Sequence, residues 1–214
     1  MRDIAIYGFG GFGREVACLL NKMNEIEATW NMIGYFDDGV APETENKYGK
    51  ILGNIDTLNN FPASLAVVIA IGNPQMIKNI VSKVTNPLIE FPNIIAPNVN
   101  IIDAEAFKIG KGNIIYWDCR LSCNVVIGDF NLINGSVALG HDAQLGNFNV
   151  LSPSTRLSGF CTVGDENLFG LQSIVLQGIK IGNKTKIGIG SVVIRNTKDE
   201  TLYFGNPAKK IVGQ

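Results

Sequence analysis

The chain has 214 residues, room for one large domain or two small ones. Its 18 basic residues against 19 acidic ones leave a net charge of −1, which argues against the concentrated basic surface that nucleic acid requires. No apolar run approaches the ~18 residues needed to cross a bilayer, so no membrane insertion is expected.

The N-terminus enters a strand pattern at once, without a basic leader and cleavage site, so a cytoplasmic protein is expected. Cys18, Cys119, Cys123 and Cys161 show no metal-ligand spacing, and His141 is the sole histidine. Reduced cysteines with packing roles, and no metal, are the expectation.

Residues 2–8 (RDIAIYG) read as a buried strand. The strand runs into Gly8-Phe9-Gly10-Gly11-Phe12-Gly13, after which residues 14–23 have helical spacing. Strand, glycine turn and helix together set backbone N–H groups and a helix N-terminus against phosphate. A tight strand-to-helix turn also needs glycine with no ligand present, and spacing alone does not separate the two roles. A second strand, 30–36, ends in Asp37 and Asp38, carboxylates that suit a ribose or base as well as a solvated turn. Residues 39–49 read as a polar loop and 55–61 as a short helix. Residues 65–71 (LAVVIAI) are a continuous apolar run, as in a parallel strand covered on both faces. Gly72-Asn73-Pro74 then opens a helix to about residue 84. Three βα units are too few for a full dinucleotide-binding domain and suit a mononucleotide half.

Residues 83–98 hold Pro87, Pro92 and Pro97 and read as a junction. Ile95, Ile101 and Phe107 start a six-residue series out of register with the longer one beyond it, which predicts an irregular first coil. From Ile109 to Val193 every sixth residue is apolar, 15 positions in succession. With 46% apolar residues overall, chance gives that about once in 10⁵ trials. Gly110, Gly128, Gly140, Gly146, Gly164, Gly170, Gly182 and Gly188 each occupy the place next to one of these positions. A period of six fits neither a helix nor a simple strand. It fits a solenoid of short parallel strands, with three hexads to an 18-residue coil and the first and fifth residues of each hexad facing the core. Asn113, Asn131, Asn149 and Asn167 lie 18 apart, which predicts an amide ladder at one corner, on the left-handed backbone that asparagine tolerates. Residues 195–203 read as a loop before the closing Phe204-Gly205-Asn206-Pro207-Ala208-Lys209-Lys210.

The hexads resemble the left-handed parallel β-helix of the hexapeptide-repeat acyltransferases. GFGGFGREV, GYFDD, AIGN and the FPNIIAP entry into the hexads extend the likeness over nearly the whole chain. Together they resemble the sugar acyltransferases grouped with sialic acid O-acetyltransferases, and equally the enzymes that N-acetylate UDP-4-amino-6-deoxy sugars. The resemblance implies a Rossmann-like nucleotide-sugar-binding domain at 1–91 and a left-handed β-helix acetyltransferase domain at 92–214. It also implies a homotrimer, acetyl-CoA bound in a groove between neighbouring coils, and a place in polysaccharide biosynthesis. By motif, Gly10, Gly11 and Phe12 would lie at the diphosphate, Asp37 and Asp38 near the nucleoside, and Gly72 beside the sugar nucleotide. Several relatives carry His where this chain has Phe12. The GNPAKK ending resembles a GxPAK tail, where basic residues such as Lys209 sit near the coenzyme A phosphates.

His141 is third in its hexad and so should point outward or sit at a corner. As the sole imidazole, with an unperturbed pKa of about 6.5, it is the candidate general base. One coil on is Gly159, which leaves room over His141 for a thioester and offers an N–H to an oxyanion. One coil back is Cys123; an acyl-cysteine route is the lesser alternative to direct transfer. Asp142 comes directly after His141, as an acidic residue does in relatives. Leu171 and Ile189, stacked outward one coil apart, suggest a subunit contact or a pantetheine groove. The resemblance favours the groove, with Val150 along it in a position where relatives can carry His. The expected activity is acetyl-CoA-dependent N-acetylation of a UDP-4-amino sugar. O-acetylation of a free sugar such as sialic acid and a non-catalytic scaffold are the alternatives.

Overall fold

The computed structural model describes residues 1–211. The chain divides into two compact units, Met1–Gly72 with Met76–Ile94, and Asn73–Gln75 with the chain from Ile95 onward.

The first unit runs β1 (Arg2–Tyr7), α1 (Gly11–Ile26), β2 (Trp30–Phe36), β3 (Glu45–Asn46), β4 (Gly49–Gly53), α2 (Ile55–Asn59), β5 (Leu65–Ile69), α3 (Pro74–Lys83) and β6 (Ile89–Glu90). Among the described residues its sheet has six strands, in the order β3-β4-β2-β1-β5-β6. All neighbours are parallel except β3 against β4. Every residue of β5 is buried, as a central parallel strand requires.

Two expectations are corrected here. The stretch read as a loop over 39–49 contains β3 and leads into β4, which extends the sheet beyond β2. Glycine and lysine disguise that strand; Gly34 of β2 lacks the Cβ that would fall 2.6 Å from the Lys50 carbonyl oxygen, so β4 can pack close. Helix α1 also starts earlier than residue 14, at Gly11, with Gly10 as its N-cap.

The second unit is a solenoid of two-residue strands on three faces. The first face contains Ile114–Ile115, Leu132–Ile133, Val150–Leu151, Leu168–Phe169 and Lys186–Ile187. The second contains Arg120–Leu121, Ala138–Leu139, Arg156–Leu157, Ile174–Val175 and Val192–Val193. The third contains Lys108–Ile109, Val126–Ile127, Gln144–Leu145, Thr162–Val163 and Lys180–Ile181. Within these lists successive strands pair in parallel 18 residues apart, as in Leu121↔Leu139↔Leu157. Of the repeating apolar positions, all from Ile115 to Val193 are buried, while Ile109 at the open first coil is half-buried. The fifth positions are small and buried, including Cys119, Ala143, Thr155, Cys161, Ser173, Thr185 and Ser191.

The asparagine ladder is present. Asn131 donates both its backbone N–H and its Nδ2 to Asn113 Oδ1, at 2.8 and 3.0 Å. Asn149 does the same to Asn131 and Asn167 to Asn149, and Thr185 N closes the ladder on Asn167 Oδ1 at 2.7 Å. These four residues are buried, so their amides have no water to fall back on.

The left-handed backbone is not at these asparagines. It falls one residue earlier, on the fourth position of each hexad: Gly112, Asp118, Asn124, Phe130, Ser136, Asp142 and onward to Gly190. Even Phe130, Phe148 and Phe160 take φ values of 54°, 56° and 57° there. The turn geometry that closes each corner, held by inter-coil bonds such as Phe148 N to Asp129 O at 2.9 Å, overrides the steric preference of the residue.

A second ladder, unforeseen, explains five of the recurring glycines. Asp129, Asn147, Asp165, Asn183 and Asp199 each accept, through Oδ1, the backbone N–H of the residue one coil earlier in the series, at 2.7–2.9 Å. A Cβ on Gly110, Gly128, Gly146, Gly164 or Gly182 would run into that same Oδ1.

The segment 195–203, read as a loop, is a loop only in part. Leu202–Gly205 adds a strand to the first face in parallel with Lys186–Ile187, then turns back antiparallel through Ala208–Lys210. Its partner lies 16 residues back rather than 18 (Lys186↔Leu202), so the shortened coil drops out of the hexad count.

Candidate active site

The corner between the second and third faces carries Cys123, His141 and Gly159 in one column, joined by Asp142 N to Cys123 O at 2.9 Å and Phe160 N to His141 O at 2.8 Å. His141 stands outward as expected, with a side chain about half exposed (49%). Its Nδ1 lies 2.9 Å from Asp142 Oδ2. Asn124 Nδ2 donates to the other Asp142 oxygen at 3.1 Å. The hydrogen bond with His141, then that from Asn124, holds the Asp142 carboxyl below its ordinary range. An ionised Asp142 accepts a hydrogen bond from Nδ1–H, which leaves Nε2 with its lone pair turned away from the carboxylate.

Gly159 keeps the space at Nε2 clear, and Gly140 lets the Gly159 backbone lie close. A Cβ on Gly159 would fall 2.5 Å from both Cε1 and Nε2 of His141, and one on Gly140 would fall 2.5 Å from Gly159 N. Gly159 N–H makes no hydrogen bond among the described residues. Phe160 closes the other side, with its ring edge-on to the imidazole at 4.9 Å and 86°. An imidazole, the carboxylate bonded to it and a backbone N–H without a partner among the described residues therefore share one corner. Asn124 and Phe160 were missed in the sequence because their role depends on the coil stacking one turn away.

The next corner, between the first and second faces, carries Leu171 and Ile189. Leu171 O accepts from Gly190 N at 2.8 Å, and the two side chains are 41% and 60% exposed. Phe204, exposed and also missed, lies over Gly188, where a Cβ would meet its ring. Lys209 pairs with Phe204 across the terminal hairpin and is exposed. Leu171, Ile189, Phe204 and Lys209 thus give an apolar shelf with a cation at its end, which suits a pantetheine arm ending in phosphate. Val150 is elsewhere: it is 3% exposed on the first face, between Leu132 and Leu168. Six residues of extended chain, up to ~20 Å, separate the Leu171–Ile189 corner from the His141 corner within one molecule.

In the first unit the glycine turn, Asp37, Asp38 and Gly72 meet at the edge where β1, β2 and β5 end. The strand order reverses beside β1, the place where open α/β sheets bind ligands. Gly8 (φ 118°) is demanded by the backbone, and Gly13 by contact, since a Cβ there would strike the Gly8 carbonyl. Gly10 and Gly72 meet nothing within 4 Å, and at Gly11 only Arg14 comes close, at 3.9 Å. The fold does not require glycine at these three; an approaching ligand would. Helix α1 has no side-chain cap and no acidic residue in its first turn, so its N-terminus is open to an anion. Phe12 is half-exposed in that turn.

The two aspartates are already partly employed. Asp37 accepts from Phe9 N at 2.9 Å and Gly39 N at 2.8 Å, bracing the glycine turn. Asp38 Oδ1 accepts from Tyr7 Oη at 2.7 Å and Ile55 N at 3.0 Å. Burial and the Asp38 bond push the Tyr7 phenol upward. Asp38 Oδ2 is left for a further donor. No metal-holding group of His, Cys, Asp and Glu occurs among the described residues, and no described helix is long and apolar enough to cross a membrane.

No curated protein matches the chain, whereas many solved structures do. The acetyltransferase domain of PglB from Neisseria gonorrhoeae is 24% identical over 99% of this chain and 100% of its own, with a TM-score of 0.88. WeeI from Acinetobacter baumannii is 25% identical over 99% and 100%, also at 0.88. PerB from Caulobacter crescentus, solved with CoA and GDP-perosamine, is 24% identical over 99% and 98%, at 0.83. The resemblance read from the sequence is thereby borne out. Residues 3–84 match the family model of the PglD N-terminal domain, joined in this chain to a parallel β-solenoid similar to those of the PglB acetyltransferase domain, WeeI and PerB.

Proposed function

We propose that the protein is an acetyl-CoA-dependent acetyltransferase that N-acetylates the amino group of a nucleotide-activated sugar. The observation that carries this reading is the His141 corner, where an Asp142-oriented imidazole presents Nε2 beside the unoccupied N–H of Gly159. As the sugar amine attacks the thioester carbonyl, His141 Nε2 takes its proton and Gly159 N–H receives the developing oxyanion. As the C–S bond breaks, the imidazolium returns that proton to the departing thiolate, which leaves as the coenzyme A thiol. Gly10, Gly11 and the α1 N-terminus hold the diphosphate, and Asp38 Oδ2 accepts from the nucleoside. Leu171, Ile189, Phe204 and Lys209 carry the acetyl-CoA arm.

The ~20 Å between the two corners of one molecule supports a homotrimer in which one subunit's His141 is served by a neighbour's Leu171–Ile189 shelf. PerB, solved with CoA and GDP-perosamine, supports a nucleotide-linked amino sugar as acceptor. The base is expected to be uracil, so a screen needs both UDP- and GDP-4-amino sugars, with free sialic acid as the O-acetylation arm. Thiol release reports each acetyl transfer. His141→Ala should lower kcat by ~10²–10⁴-fold with folding retained. Wild-type-like turnover in that variant removes His141 from the mechanism.

A further inference from the structure

The corner between the first and second faces carries more than the Leu171–Ile189 shelf. Its column runs Trp117, Gly135, Pro153, Leu171 and Ile189. Ser136 N to Trp117 O, Ser154 N to Gly135 O, Gln172 N to Pro153 O and Gly190 N to Leu171 O join it at 2.8–3.0 Å. Each member lies six residues before one in the His141 column, so Trp117 is level with Cys123, Gly135 with His141 and Pro153 with Gly159. Gly135 stands apart from the other described glycines of the solenoid. Its φ is not positive, and a Cβ there would rest at ordinary contact, 3.5 Å from Trp117 O and 4.0 Å from Tyr116 Cδ1. Neither backbone nor packing requires glycine here; an approaching ligand would. Tyr116 and Trp117 are half-buried, with ring centroids 6.1 Å apart and 76° between their planes. At the level of His141 the column therefore puts no side chain over an aromatic pair.

We propose that Trp117, with Tyr116 beside it and Gly135 open above, is the platform for the acceptor's sugar ring, in a site whose His141 belongs to the adjoining copy of the chain. The proposal rests on the acetyltransferase reading given above. In a cyclic trimer whose axis runs along the solenoids, each coil of one copy is level with the same coil of the next. A thioester between His141 and Gly159 is then level with the span from Gly135 to Pro153 on the adjoining copy. The donor arm leaves toward Leu171 and Ile189, two and three coils beyond Gly135, or ~10 and ~14 Å along the axis. The acceptor must enter where that arm does not lie. Toward the earlier coils the wall of that entrance is Trp117, one coil back and ~5 Å away. The C–H face of a pyranose fits the electron-rich face of an indole, and the indole N–H can donate to a sugar hydroxyl.

The test uses the full chain. Trp117→Ala should raise KM for the acceptor ~10-fold, with kcat at saturating acceptor and KM for acetyl-CoA within about twofold. Trp117→Phe should recover most of the loss, since a ring remains. Gly135→Ala should raise the same KM and leave the denaturant midpoint unchanged. An unchanged acceptor KM in Trp117→Ala overturns the proposal. So does dissociation of that variant in sedimentation, which assigns the ring to a subunit contact. Sharing between copies has its own signature. Equal co-expression of Trp117→Ala and His141→Ala pairs an intact His141 with an intact Trp117 at about a quarter of the interfaces. Activity at low acceptor should then exceed that of either variant alone and approach about a quarter of wild type. No rise overturns the shared site. Fluorescence gives a readout independent of turnover, because Trp30 is buried and Trp117 is the other of the 2 tryptophans. A UDP- or GDP-4-amino sugar should quench the wild type, bare UDP and GDP should not, and Trp117→Phe should lose the response. Transfer without quenching overturns the platform and spares the acetyltransferase reading; quenching without transfer does the reverse.

Discussion

The sharpest test of the His141 corner is Gly159→Ala. Gly159 has no positive φ, so its backbone accepts alanine without strain, and the added methyl acts on the imidazole. That methyl would lie 2.5 Å from both Cε1 and Nε2 of His141. Carbon–carbon contacts settle near 3.5–4.0 Å, so the ring must retreat by about 1 Å or more. A misplacement of that size in a reacting group costs ~10²-fold in rate, about 2.7 kcal/mol of transition-state stabilisation. The half-exposed imidazole can swing aside, so stability should change by less than ~1 kcal/mol. Thiol release under saturating acetyl-CoA and acceptor gives kcat, and denaturant midpoints give stability. The mutational cycle with His141→Ala is the decisive part: once the imidazole is gone the methyl has nothing to displace, so Gly159→Ala should add little in that background. Wild-type turnover in the single variant, or fully additive losses in the double, would refute the argument.

The two ladders should differ in stability. Asn149→Ala strands Asn167 N–H and Nδ2 in the core, at roughly 1–3 kcal/mol each, whereas Asn147→Ala strands only the Asp129 N–H at a half-exposed corner where water can replace the amide. Guanidinium midpoints should fall clearly for the first and by well under half as much for the second; equal shifts would contradict the burial argument. The cysteines should divide by pH. Burial pushes the Cys119 thiol up to about 11 and raises that of Cys161, so their thiolates form only as pH rises far above neutrality. At pH 8 a disulfide reagent with peptide mass mapping should find Cys18 and Cys123 modified, with Cys119 and Cys161 protected until the protein unfolds. Modification of Cys119 in the native protein would show that its coil opens.

Much of this molecule was legible because a solenoid is almost one-dimensional. Each coil contacts only its neighbours, so a hexad period read along the chain is already a contact map. It assigned the core residues from Ile115 to Val193, the buried asparagine ladder, and the outward position of His141 over Gly159. It did not assign the left-handed residues, because the corner imposes that conformation on Phe130, Phe148 and Phe160 as readily as on Gly112 and so leaves no trace in composition. Where the repeat shortens from 18 to 16 residues before Leu202, the period misleads, and Phe204 was lost with it.

The first unit shows the complementary limit. Alternation and glycine punctuation located β1, β2 and β5, but β4 is a strand only because Gly34 lets it lie close against β2. That is a property of two segments together. The same holds for function. The sequence determined that a lone imidazole, an acidic neighbour and a glycine would share one corner. Only the tertiary structure decided that Asp142 binds Nδ1, that Asn124 holds Asp142 from the coil before, that Asp37 is engaged in bracing Phe9, and that Val150 is buried. Each of those depends on distances across coils or strands, and local spacing does not encode distances of that kind.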